Sequence, residues 1–115
     1  QEDISMAKFQ LQENETLIGS GMMAYHEPVG RFQSRPWRGY IYITNQRAVF
    51  GMSMTGMHMM ELPLSEIEGF QVSKGLFFTA VVICGHDGKD FKFTGFPVKK
   101  LQGWLEQVGV KKLDR

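Results

Sequence analysis

Apolar and polar positions alternate most cleanly in Gly39–Phe50, GYIYITNQRAVF. In an extended chain Tyr40, Tyr42 and Thr44 share one face and Ile41 and Ile43 the other, which predicts a strand. The polar step Asn45-Gln46-Arg47 interrupts the run and Ala48-Val49-Phe50 resumes it, predicting two antiparallel strands joined by a very tight turn. Asn45 is the residue there that would tolerate a positive φ.

The same pattern extends along the chain. Thr16–Tyr25 reads as a first strand, with Gly19 and Gly21 marking a bend, a bulge or a close backbone approach. His26–Arg38 loses all periodicity and carries Pro28, Gly30, Ser34 and Pro36, so it is expected to be the longest loop, of functional or mobile character. The third strand runs on through Met54, Thr55-Gly56 turns the chain, and Met57–Leu64 forms a fourth strand that Pro63 stops or places at an edge. Phe70-Gln71-Val72 is a short fifth strand. Gly75 leads into Leu76–Cys84, an apolar run suited to a central strand. An Asp-Gly turn then precedes Phe91–Thr94, the seventh strand.

The period then changes. Val98, Leu101, Trp104, Leu105 and Val108 fall on one stripe of a helix, with Pro97 at its first position and Gly109 as its stop. Residues 1–12 are irregular and expected to be an extension pinned by Phe9 or Leu11, before a turn at Asn14-Glu15 and a domain over 13–112. Seven antiparallel strands followed by one helix exclude a parallel α/β fold, which needs a helix between strands. The fold class is mainly β: a seven-stranded barrel of two orthogonal antiparallel sheets, capped by the C-terminal helix with Trp104 in its stripe.

Composition narrows the function. The chain of 115 residues suits one domain, and 13 Lys and Arg against 12 Asp and Glu leave a net charge of +1. That balance argues against a nucleic-acid binder. One cysteine, Cys84, forbids an internal disulfide and points to a buried thiol in a cytoplasmic protein that can be peripheral to a membrane. No apolar run approaches the roughly 18 residues of a membrane span. His26, His58 and His86 lack metal-ligand spacing, no serine sits in a nucleophile elbow, and the glycines match no phosphate loop. No catalytic residue, metal site or cofactor is expected.

The order of motifs resembles the GRAM domain, a branch of the pleckstrin-homology-like superfold. Gly39–Thr44, Asn45-Gln46 and Arg47-Ala48-Val49-Phe50 match the family core, Leu62-Pro63-Leu64-Ser65-Glu66-Ile67 its next element, and Phe91-Lys92-Phe93 the aromatic strand before the helix. The resemblance covers roughly Glu13 to Val110. It implies a non-enzymatic module that binds lipids, often phosphoinositides, or proteins, with the shared residues structural.

Two clusters carry the functional expectations. Arg31, Arg35 and Arg38 interleave with Phe32 and Trp37 in the long loop, where many domains of the superfold hold a lipid headgroup. Three guanidiniums could fork onto phosphate and an exposed aromatic could seat in a membrane interface. Alternatively they are solvated charges, with Trp37 folded back on the barrel. Met52, Met54, Met57 and Met59 form a soft surface suited to a protein partner or self-association, or else pack into the core. Arg47 is expected to pair with a nearby carboxylate such as Glu66 or Glu68. The leading function is docking to a membrane surface or anionic lipid headgroups. The alternative is a protein-interaction or self-association module using strand edges and the Met-rich hairpin.

Overall fold

A computed structural model describes residues 9–52 and 57–114. Seven strands follow in order: β1 Leu17–Pro28, β2 Ser34–Thr44, β3 Arg47–Met52, β4 His58–Pro63, β5 Ile67–Lys74, β6 Thr79–Gly85 and β7 Asp90–Thr94. A 3₁₀ turn, Leu64–Glu66, links β4 to β5, and helix α1 spans Val98–Gln107. All pairings between strands are antiparallel.

The strands form one sheet in the order β4-β3-β2-β1-β7-β6-β5, which corrects the expectation of two orthogonal sheets. The cause is β1. Its twelve residues pair with β2 from Leu17 to Pro28 and also with β7 at Ala24, Tyr25 and His26, so hydrogen bonding runs unbroken through it. The sheet does not close, because β4 and β5 stand at its two ends.

The long loop is also corrected. Glu27 pairs with Arg35 and Pro28 with Ser34, so the strands continue through most of His26–Arg38 and only Val29–Gln33 turns. Pro28 and Pro36 hide this in the sequence because they break the polar–apolar pattern. The predicted strand at Leu76–Cys84 starts only at Thr79. Leu76, Phe77 and Phe78 instead form the exposed β5–β6 tip.

The β2–β3 turn is as tight as the pattern predicts, but Asn45 does not supply the positive φ; among the described non-glycine residues only Asn14 has one. Thr44 does the work instead. Its hydroxyl accepts from the backbone N–H groups of Gln46 and Arg47, both at 3.0 Å. Asn45 ties this turn to the start of β1, its side-chain oxygen accepting from Thr16 N at 2.8 Å.

Ile41, Ile43, Phe50, Phe70, Val81, Ile83 and Phe93 point inward into one core, joined by Leu101 and Leu105 of α1. Pro97 sits just before the helix, one position earlier than the sequence pattern places it. The helix ends as expected at Gly109, whose φ of 88° allows Val110 N to reach back to Leu105 O at 2.9 Å and Gly109 N to Glu106 O at 3.0 Å. α1 lies against β1 where Gly19 exposes bare backbone: a Cβ there would sit 2.1 Å from the Trp104 indole. The register of β1 shifts between Leu17 and Gly19, so Gly19 provides both the bulge and the close approach.

Beyond the sheet, Phe9 stacks on Tyr42 with centroids 4.0 Å apart and planes 5° from parallel, holding the N-terminal segment to the outer face of β2. Arg47 is buried beneath it. Its Nε donates to Glu15 Oε2 and its Nη1 to Glu61 Oε2, each at 2.8 Å, and its Nη2 to Gln10 O at 3.0 Å. A carboxylate partner is as expected, but Glu15 and Glu61 replace Glu66 and Glu68. Glu61 faces Val49 across β3–β4 and Glu15 sits at the entry to β1, so both close on Arg47 from neighbouring chain segments.

Candidate functional site: a groove between two hairpin tips

Pleating sends alternate side chains of β1, β7, β6 and β5 to the face opposite the core. His26, Lys92, Val82 and Gln71 are successive cross-strand neighbours and form a line across that face. Two adjoining depressions of about 340 and 440 Å³ share His26 and Lys92. Phe77 and Phe78 of the β5–β6 tip line the smaller one. Arg31 and Phe32 of the β1–β2 tip line the larger one. The groove is thus bounded at each end by an aromatic hairpin tip.

Its charge is positive. Burial and the nearby Lys92 ammonium both push the His26 pKa below its ordinary value, favouring the neutral ring. Its Nε2 lies 2.7 Å from Thr94 Oγ1, which fixes the ring on the groove floor. Lys92 is therefore the cation of the floor and Arg31 that of the rim; Asp90 lines the larger depression as well.

The arginine cluster does not converge as a unit. Arg31 and the 91% exposed Phe32 stand at the tip. Arg35 and Arg38 lie on β2 three residues apart, so the pleat sends them to opposite faces. Arg38, opposite Ala24, shares the groove side with His26. Arg35 lies over the Trp37 ring, 5.7 Å from its centroid. Trp37 is half-buried against the core and its Nε1 donates to Glu27 Oε1 at 2.9 Å, so it folds back on the sheet and is not an exposed anchor.

The methionines separate similarly. Met57 is exposed, Met52 ends β3 half-buried, and Met59 packs partly against the core. Met54 falls outside the described residues. Missing from the sequence-based expectation are Leu76, Phe77, Phe78 and Phe96, all largely exposed. One signal existed: adjacent Phe77 and Phe78 cannot both face a single core from one strand.

This topology defines a class. A single antiparallel sheet of seven strands followed by a C-terminal helix packed on its core is the arrangement of the pleckstrin-homology-like fold. The family model of the GRAM domain matches residues 5–100, and the chain belongs to that family. Domains of this family and superfold are generally non-catalytic binding modules that take lipids or proteins.

Solved structures agree on the fold. The C-terminal domain of an unknown protein from Leishmania infantum superposes with a TM-score of 0.67 at 22% identity, covering 84% of this chain and 86% of that one. The Vps36 N-terminal PH domain gives 0.65 at 16% identity over 86% and 83%. The PH domain of human pleckstrin homology domain-containing protein family A member 5 gives 0.56 at 9% identity over 87% and 80%. No curated protein matches the sequence. Among the described residues, no helix is long and apolar enough to cross a membrane.

Proposed function

We propose that this domain docks to the anionic surface of a membrane through its β1–β2 hairpin, with Arg31 and Arg38 drawn to lipid phosphates and Phe32 seated in the interface. The supporting observation is Phe32 itself, 91% exposed beside Arg31 at the end of a hairpin whose body is fully paired. A large aromatic with no packing role in the domain needs another solvent, and the bilayer interface is one. Arg35 contributes long-range charge from its place over Trp37, and Lys92 extends the positive surface along the groove.

Co-sedimentation with phosphatidylcholine vesicles, with and without phosphatidylserine, tests the reading. A surface arginine contributes about 1 kcal/mol near an anionic leaflet. Changing Arg31, Arg35 and Arg38 together to alanine is therefore expected to weaken binding to phosphatidylserine vesicles by about 10- to 100-fold. Binding should also fall as salt rises. Retention that is indifferent to phosphatidylserine and to the triple change would remove the proposal.

A further inference from the structure

The β5–β6 tip presents Leu76, Phe77 and Phe78 at 89%, 84% and 72% exposure, three consecutive large apolar side chains. The turn does not need them. It is closed by a backbone bond, Gly75 N to Phe78 O at 2.8 Å, on the Lys74–Thr79 pair. Small polar residues would make the same turn, so these side chains are surplus to the hairpin. Phe96 is fully exposed too, in the connection from β7 to α1. It lies two residues after Thr94, which lines the smaller depression with Phe77 and Phe78, and two before Val98. Three large apolar side chains are thus clustered at one tip, with Phe96 in the connection that leaves nearby β7, an accumulation that marks an interaction surface rather than scattered exposure.

A second observation lies at the root of the same tip. Lys74, Lys99 and Lys112 line a basin of about 370 Å³, with Thr79 and Gln102 as its other polar residues and Val72 and Val98 as its apolar lining. The three lysines come from separate elements: the end of β5, the first turn of α1, and the C-terminal segment that bridges to Phe70. Among the described residues none of the three forms an ion pair. In a chain of net charge +1 this is a local concentration of cationic side chains around one basin, a setting that suits an anion.

We propose that this end of the domain inserts in a bilayer, with Leu76, Phe77 and Phe78 entering the interface and the Lys74–Lys99–Lys112 basin holding the phosphate of an anionic phospholipid. The order of the features selects a lipid. An apolar tip set immediately beyond a cationic basin matches the sequence of acyl chain and headgroup that a membrane presents. Lysine stems lie along apolar surface while their ammoniums stay at headgroup level. The inference takes its membrane from the reading above but uses no residue of the β1–β2 hairpin.

Vesicle co-sedimentation of the full chain separates the two. Phe77→Ser with Phe78→Ser is expected to weaken retention on phosphatidylserine vesicles by at least about tenfold while leaving thermal unfolding unchanged, since both rings are exposed. Changing Lys74, Lys99 and Lys112 to alanine should cost about 10- to 100-fold on phosphatidylserine vesicles and nothing on phosphatidylcholine alone. If only the Arg31, Arg35 and Arg38 change reduces retention, this inference falls and the hairpin reading stands; the reverse pattern removes the hairpin reading and keeps this one. A parent protein that ignores both vesicle types overturns both. Calorimetric titration with inorganic phosphate provides the last arm: binding that needs the lysines, alongside vesicle retention that does not need Phe77 and Phe78, would reassign the basin to a free anion.

Discussion

Changing Arg47 to alanine is expected to lower the unfolding free energy by about 3–5 kcal/mol, because it strands a buried carboxylate. The Glu15 side chain is fully inaccessible and the Arg47 side chain nearly so. Glu15 also accepts from Thr44 Oγ1 at 2.5 Å and from Gln12 N at 2.7 Å, so its charge is held in place and cannot follow water when the guanidinium is lost. The Arg47 guanidinium also lies over the Phe9 ring, 5.2 Å from its centroid, so the change loosens the N-terminal segment as well. Urea unfolding reads the loss. Replacing Glu15 and Arg47 together by apolar residues of similar volume should cost less than Arg47→Ala alone, since no buried charge is then left unpaired and the remaining partner, Glu61, is exposed to water.

The same group sets an acid limit. Burial by itself would raise the Glu15 pKa, but bonds from Arg47, the Gln12 backbone and Thr44 outweigh it and bring the group down to about 2 from 4.5. A depressed carboxylate stabilises the fold above its unfolded pKa and loses that contribution as pH falls through the folded one. The contribution is therefore complete above about pH 5 and decays toward pH 2, a difference of roughly 3 kcal/mol. Glu15→Gln should flatten the stability profile in that window while lowering stability at neutral pH. A profile unchanged by the substitution would show that other carboxylates set acid unfolding.

The second large effect concerns the seat of the helix. A Cβ at Gly19 would come within 2.1, 2.2 and 2.5 Å of three indole atoms of Trp104, closer than any packed carbon tolerates. Gly19→Ala must push the ring out and tilt α1 from β1, at an expected cost of about 2–4 kcal/mol. Trp104→Ala removes the ring and leaves a gap, also costing several kcal/mol, roughly 3–5. The double variant relieves the collision that makes the first change harmful. It is expected to be no less stable than Trp104→Ala alone, a strong departure from additivity that thermal or urea unfolding would read. Additive losses would mean that Gly19 matters for β1 conformation and not for helix seating.

These residues show what was legible along the chain. The β2–β3 hairpin and α1 are written in short periods, two and 3.6, that need only neighbours a few positions apart. Gly19 was legible as a bulge or close approach, though not that Trp104 makes the approach. Arg47 was legible as a paired cation, but its partners stand 32 and 14 positions away, one on the segment that leads into β1 and one on β4, the strand paired with β3. The β1–β2 hairpin was hidden because Pro28 and Pro36 sit in paired strands and erase the alternation. Leu76–Phe78 misled in the opposite direction: apolar character signals a core by default, and only the turn at Gly75–Phe78 shows that these side chains point elsewhere. The site residues suffered most. Whether Arg31, Arg35 and Arg38 act together depends on the face each occupies, which a loop reading leaves undetermined and a strand register decides.

An unclosed sheet has two rims of backbone groups that could template another copy of the chain. Both are blunted. On β5, the C-terminal segment lies alongside and uses Phe70, whose N–H donates to Lys111 O at 2.9 Å and whose carbonyl accepts from Leu113 N at 2.7 Å. On β4, Pro63 withholds an N–H, and Glu61, tethered to Arg47, keeps a charge on that strand. Proline, charge and a covering segment are the devices by which β-proteins resist edge-to-edge polymerisation. The openness that distinguishes this sheet from a closed barrel is thus guarded at both rims, and the residues after α1 act as a selvedge along β5.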